Sequence, residues 1–324
     1  MSKTAIDPTR HALNGATMGT RWSALFHAGP GFDPGPVGAA LQAAVDTVDA
    51  QMSTWKPDSD LMAINRAPVG QWLSAPAGLM QVLATGLEIG RLSDGAFDIG
   101  MGDSVSAWGF GPHQADPQVI RAALGTARRP THQVLELDAD ALRLCKHAQV
   151  TLDLCGIAKG YGVDRLMAVL ARFGIGDALV GIDGEMRANG LRPDGRPWAV
   201  AVERPDHDKR APLAVLELTD CAVATSGDYR HWVDVGDRRL SHTMDPARGG
   251  PLSVSPASVT VLAETCMQAD AWATALMVQG TRDGAASARR LNLNALFIDR
   301  AEDGFQQTPV GPLFDAWAGP AADT

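Results

Sequence analysis

The feature that most restricts this chain is a series of short β-rich runs in its second half. They are ALVGI (178–182), WAVAVE (198–203), LAVLEL (213–218), CAVAT (221–225), ASVTVLA (257–263) and NALFID (294–299). Each is bounded by Pro, Gly or Asp turns and reads as a strand. Helical spacing enters only around them. Apolar residues at Val37, Leu41, Ala44, Val45, Val48 and Met52 predict one amphipathic helix. Leu79, Val82, Leu83, Leu87, Ile89 and Leu92 predict a second. A third runs from about Tyr161 to Phe173, stopped by Gly174. Two more are expected, from Met267 to Val278 and from Ala285 to Leu291. TRWSALFH (20–27) and QVTLDL (149–154) read as further strands, and Pro57 ends the first helical region. The stretch 93–112, SDGAFDIGMGDSVSAWGFGP, has no period and reads as a long loop. Strands in succession, broken by packed helices, point to an α+β fold rather than a regular βαβ array.

Composition removes several classes of function. With 324 residues and 45% hydrophobic side chains the chain can bury a sizeable core. Its net charge of −9 disfavours nucleic acid and anionic membrane as partners. Cys145, Cys155, Cys221 and Cys266 form no CxxC, which argues against a zinc ribbon and fits a reducing compartment. There is no GxxxxGK[ST] and no HExxH, and the three GxG pairs carry Val105, Gln114 and Leu179 in the third glycine slot. No run of about 18 apolar residues exists, and the MSKTAIDPTRHALNG start lacks the apolar core of a signal peptide. A cytoplasmic protein without a membrane anchor is therefore expected.

Four segments carry residues with chemical potential. Asp153-Leu-Cys-Gly156-Ile-Ala-Lys159-Gly160-Tyr161 reads as a strand end, a small-residue loop and a helix start beside a lysine, which suits a phosphate. An ordinary β–α turn with an Asp153–Lys159 salt bridge fits the same spacing. Asp270 and Thr274 lie one helical turn apart, a pair of hard oxygen donors suited to Mg²⁺. Alternatively, Asp270 only complements the dipole of its own helix. His242, in Ser241-His-Thr-Met-Asp-Pro246, sits beside a turn and has the side chain of a general base near neutral pH. Met18 and Trp55 could sandwich a flat ring, although core packing is their commoner use.

Taken in order, MGT, MSTWKPDSDL, DGAFDIGMG, DLCGIAKGYGVD, TSGDYR, SHTMDPARGGP and ADAWATAL resemble the ApbE-type FAD:protein FMN transferases, from about Asn14 to Trp317. The resemblance implies an α+β fold related to a duplicated T-fold, with a flavin site at its centre. It implies one domain over 14–318, flanked by short tails at 1–13 and 319–324. FAD would be the substrate. Its FMN half would pass to a Ser or Thr of an acceptor protein carrying a flavinylation motif, with AMP released and Mg²⁺ on the diphosphate. By the same resemblance Met18, Trp55, Ala96, Phe97, Asp98, Asp153, Lys159 and Met244 would contact FAD. The Gly156 carbonyl, Asp270 and Thr274 would hold the metal, and His242 would activate the acceptor hydroxyl. Mg²⁺-dependent hydrolysis of FAD to FMN and AMP, or FAD binding without turnover, would use the same pocket. Asp183 stands where members commonly carry a second glycine, and so either crowds the ligand or adds an acid. Gly156 occupies a slot that takes Ala, Ser or Thr elsewhere, which a carbonyl ligand tolerates.

Overall fold

The structure is a computed structural model that describes residues 9–315, except 113, 126–127, 207–210, 230–231, 236–237 and 303. Its frame is one eight-stranded sheet: β1 (Thr9–Thr17), β2 (Thr20–Ala28), β3 (Ala178–Ile182), β4 (Glu185–Asn189), β5 (Cys221–Gly227), β6 (Ser258–Ala263), β7 (Asn294–Ala301) and β8 (Gly304–Val310). The strands lie side by side in chain order and every neighbouring pair is antiparallel. This is the expected α+β class. Antiparallel neighbours can be joined by tight turns, so long excursions between strands are free to cover the faces.

Both faces of the sheet are covered, which explains why β3 reads as continuous apolar sequence instead of alternating. Val180 packs with Trp22, Phe26, Leu166 and Leu170, whereas Leu179 packs with Trp198, Val200 and Leu216 on the opposite side. Helices α1 (Gly35–Met52), α6 (Ala158–Arg172) and α7 (Cys266–Arg290) line the first face. The hairpin of Trp198–Glu203 and Pro212–Leu218 covers the second. Helix α7 is kinked at Gly280 (φ 74°, ψ 170°), which divides it into two helices, over 266–279 and 281–290, where the sequence predicts two over 267–278 and 285–291. The remaining helices are α2 (Asp60–Arg66), α3 (Ala77–Leu92), α4 (Gly102–Ala107) and α5 (Pro117–Gly125). Among the described residues no helix is long and apolar enough to cross a membrane.

Three expectations need correction. Residues 149–154 are not a strand; only Thr151 makes an isolated bridge, to Met101. The alternation there is real burial, of Leu152 and Leu154, but a side chain replaces the partner strand. Asn65 accepts from the Leu152 N–H at 2.7 Å and donates to its carbonyl at 2.9 Å. The supposed loop 93–112 contains α4. Residues 9–13, set apart as a tail, are the first half of β1 and pair with Ala24–Ala28. The tail at 319–324 lies outside the described residues.

Candidate active site

The site grows from the side-by-side start of α6 and α7. Gly160 makes their approach possible: a Cβ there would stand 2.3 Å from the Cys266 carbonyl oxygen and 2.8 Å from Asp270 Cβ. At this distance each helix caps the other. Asp270 of α7 accepts from the Gly160 N–H of α6 at 3.0 Å. Asp164 of α6 accepts from the Cys266 and Met267 N–H groups of α7, both at 3.0 Å. Each carboxylate thus satisfies donors that a helix start leaves without partners and meets the positive end of a dipole. Asp270 serves the neighbouring helix rather than its own.

Acids outnumber cations around this junction, where Arg187 pairs with Asp164 and Lys159 meets the rest. Lys159 Nζ donates to Glu185 Oε1 at 2.8 Å and lies 3.7 Å from Asp183 Oδ2. It does not pair with Asp153, whose carboxylate accepts instead from the Cys155 N–H at 2.8 Å. Burial pulls the ammonium pKa of Lys159 down, but Glu185, Asp270 and Asp183 outweigh this and hold it above its ordinary value. Asp270, 5% exposed, is pushed from 3.8 up to about 7 by burial and then by the Glu185 charge, against the pull of Lys159. Asp153 is also raised by burial. Cys155 reaches solvent, yet its thiol is held well above its usual pKa, first by the Asp153 carboxylate and then by the protein packed around it. It is a poor nucleophile in this state.

Asp183 is the first residue of the two-residue β3–β4 turn and has φ 55°, the left-handed conformation in which glycine is at ease and Asp is tolerated. Its carboxylate faces Lys159, so the departure from glycine adds an acid. Glu185 was not singled out from the sequence. It is 4% exposed, and its Oε2 has no hydrogen-bond partner. Its importance comes from lying across the fold from Lys159, 26 residues earlier, a pairing that no local spacing displays.

Gly156, Phe97 and Thr274 meet at one point. A Cβ on Gly156 would lie 3.3 Å from Phe97 Cε2 and 3.3 Å from Thr274 Oγ1. Ser226 on β5 holds the Thr274 hydroxyl at 3.2 Å. The glycine-rich segment runs beside 151–153, with Asp153 N–H bonded to the Ile99 carbonyl and Gly102 N–H to that of Thr151. Asp98 is less available than expected. Its carboxylate accepts from the Gly100 N–H and from both the N–H and the hydroxyl of Thr131, and so folds this segment. Ala96 is half-buried beside it.

Met18 fills the β1–β2 turn with φ 46°, followed by Gly19 at φ 72°. A left-handed methionine is costly, and it points the side chain onto α6, where Sδ-methyl Cε lies 3.2 Å from the Cβ position of Gly162. Trp55, 61% exposed, sits on the turn between α1 and α2 and is not a core residue. Met244 is buried in a small hairpin, where Met244–Asp245 pairs with Gly250–Pro251. His242 is half-buried just before it, its ring 6.4 Å from that of Phe110. The Ser241 hydroxyl accepts from the Thr243 N–H at 3.2 Å and so closes the turn around the histidine.

Among the described residues no group of three or more His, Cys, Asp or Glu is set to hold a metal. One carboxylate, one hydroxyl and one carbonyl are a sparser set of hard oxygens. That set matches Mg²⁺, which keeps waters and substrate oxygens as its other ligands. Three acids around Lys159 leave negative charge that a cation would offset.

Comparison with known proteins places this architecture. The ApbE family model matches residues 18–297. An FAD:protein FMN transferase of Vibrio cholerae is 36% identical over 298 residues, 91% of this chain and 89% of that protein. One of Escherichia coli is 34% identical, over 94% of this chain and 88% of its own. The solved structure of flavin transferase ApbE from Vibrio cholerae superposes with a TM-score of 0.83 at 33% identity, covering 94% of this chain and 97% of that one. Pseudomonas stutzeri flavinyl transferase ApbE gives the same TM-score at 34% identity, covering 97% and 98%. With the family model matched over residues 18–297 and relatives at 34–36% identity covered over most of their length, this chain belongs to the ApbE family.

Proposed function

We propose that this chain is a Mg²⁺-dependent FAD:protein FMN transferase. The observation that carries the reading is the gathering of Asp270, Thr274 and Gly156 beside Lys159, at the paired starts of α6 and α7. Relatives of similar length named for this activity support it. Asp270, the Thr274 hydroxyl and the Gly156 carbonyl would hold Mg²⁺, which when bound neutralises charge on the diphosphate. Lys159 supplies a fixed positive charge for the same group and keeps it because three carboxylates surround it. Met18, Trp55 and Met244 offer apolar and aromatic surface to the flavin ring, and the segment 96–98 lines its pocket. His242 takes the proton as the acceptor Ser or Thr hydroxyl attacks the FMN-side phosphorus. The bond from that phosphorus to the bridging oxygen breaks, and AMP leaves with the oxygen.

The test is an incubation with FAD, Mg²⁺ and a peptide carrying a Ser/Thr flavinylation motif, with an EDTA control, read by mass spectrometry. The expected result is a peptide that gains the FMN mass, with AMP released, only when metal is present. Asp270→Ala abolishes the metal-dependent product, and His242→Ala slows transfer more than it weakens FAD binding. Free FMN with an unmodified peptide would identify a diphosphatase instead, and intact bound FAD a carrier.

A further inference from the structure

The hairpin after His242 is held from outside by α4 and Arg128. Ser104, fully buried on α4, donates its hydroxyl to the Gly249 carbonyl at 3.0 Å. The same oxygen accepts from Arg128 Nη2 at 2.8 Å, so its donor and an acceptor site are both used. Arg128 also forks onto Asp103, the neighbour of Ser104, at 2.7 and 2.8 Å. Gly249 has φ 67°, and a Cβ there would stand 3.1 Å from both the Ala123 carbonyl and Arg128 Nε. Gly250 sits equally close to Leu124 and Trp108. The far end of α4 leads to Phe110, whose N–H bonds to the Val105 carbonyl and whose ring meets His242. The helix and the turn that follows it therefore touch this segment at two points, Ser104 at Gly249 and Phe110 at His242.

We propose that Ser104 and Arg128 are positioning residues for His242, latching its hairpin to α4 at the geometry that proton transfer needs. This rests on the reading of His242 as the proton acceptor. Neither residue reaches the reacting atoms; they act by fixing where the imidazole stands. A bidentate Arg–carboxylate fork is the rigid form of such a clamp. Small displacements of a catalytic group are costly because the rate depends on near-attack geometry.

The test measures transfer kinetics for the full-length protein with FAD, Mg²⁺ and the acceptor peptide. Four proteins are compared with wild type: Ser104→Ala, Arg128→Met, His242→Ala and the Ser104→Ala/His242→Ala double variant. Ser104→Ala is the lead variant because the Arg128–Asp103 fork survives it. It is expected to lower kcat about tenfold while KM for FAD stays within about twofold. The double variant is expected to be no slower than His242→Ala alone, because a latch has nothing to position once the imidazole is gone. Losses that multiply in the double variant, or a Ser104→Ala rate equal to wild type, overturn the latch. No transfer by wild type, or an unchanged rate in His242→Ala, overturns the functional reading first and the latch with it.

Discussion

At the scale of single residues, Asp270, proposed above as a metal ligand, is a buried carboxylate with a raised pKa. Its carboxylate caps α6 through Gly160, yet burial first and the neighbouring Glu185 charge second lift its pKa to about 7. A raised carboxylate means that the folded protein binds the proton more tightly than the unfolded chain does. Stability then falls as pH rises from the unfolded value near 4 toward 7, and levels off above it. In chelator, the melting temperature of the wild type should therefore drop between pH 5 and pH 7.5 by more than that of Asp270→Asn, whose amide still accepts from Gly160. Parallel curves would mean that the carboxylate carries no such strain. Residues of this kind were partly legible in advance. Asp270, Thr274 and Lys159 stand in recognisable local spacings. Glu185 does not, because its role is set by a contact between a helix and a strand turn. Nor was it visible that three donors from Gly100 and Thr131 occupy the Asp98 carboxylate, since Thr131 lies 33 positions away.

At the scale of elements, the junction of α6 and α7 is the part of the fold that the site depends on most. Both helices were visible in the sequence through their 3.6-residue apolar period, and so was the break near Gly280. Their mutual capping was not, since it joins Asp164 to Cys266 and Asp270 to Gly160, more than 100 positions apart. Segment 149–154 misled for a similar reason: its strand-like alternation is satisfied by Asn65 rather than by a strand. Gly160→Ala tests the junction. The new methyl meets backbone at 2.3 Å, which no rotamer change relieves. The helices must separate, at a cost of about 1–3 kcal/mol by analogy with overpacked cores. Urea denaturation should register that loss, and FAD affinity in Mg²⁺ should fall with it, because Asp270 and Lys159 ride on opposite helices. The same substitution at Gly174, which follows α6 and has open space around it, should weaken stability without moving FAD affinity.

At the scale of the molecule, the sheet explains how residues far apart in the chain, such as Gly160 and Asp270 or Lys159 and Glu185, come into contact. Eight antiparallel strands in chain order let the chain leave the sheet and return, and α1, α6 and α7 all pack on the same face. The order of the motifs was legible; the use of the first strand was not, since TRHAL (9–13) carries little apolar signal. In the structure β1 is an edge strand whose His11 stacks on Phe26 at 5.3 Å and whose Leu13 packs against the cluster around Trp22 and Val180. It also braces the turn that holds Met18 in its left-handed conformation. A chain truncated to begin at Asn14 would lose the pairing of Thr9–Leu13 with Ala24–Ala28 and uncover Phe26. The truncated protein should melt at lower temperature and bind FAD more weakly than the full chain, measured by thermal denaturation and flavin fluorescence quenching. Weaker binding should exceed what Met18→Ala alone produces, because truncation frees the whole turn rather than one side chain. A truncated protein that melts and binds as the full chain does would mean that the folded unit starts at Asn14, and that Met18 is held by its contact with α6 rather than by β1.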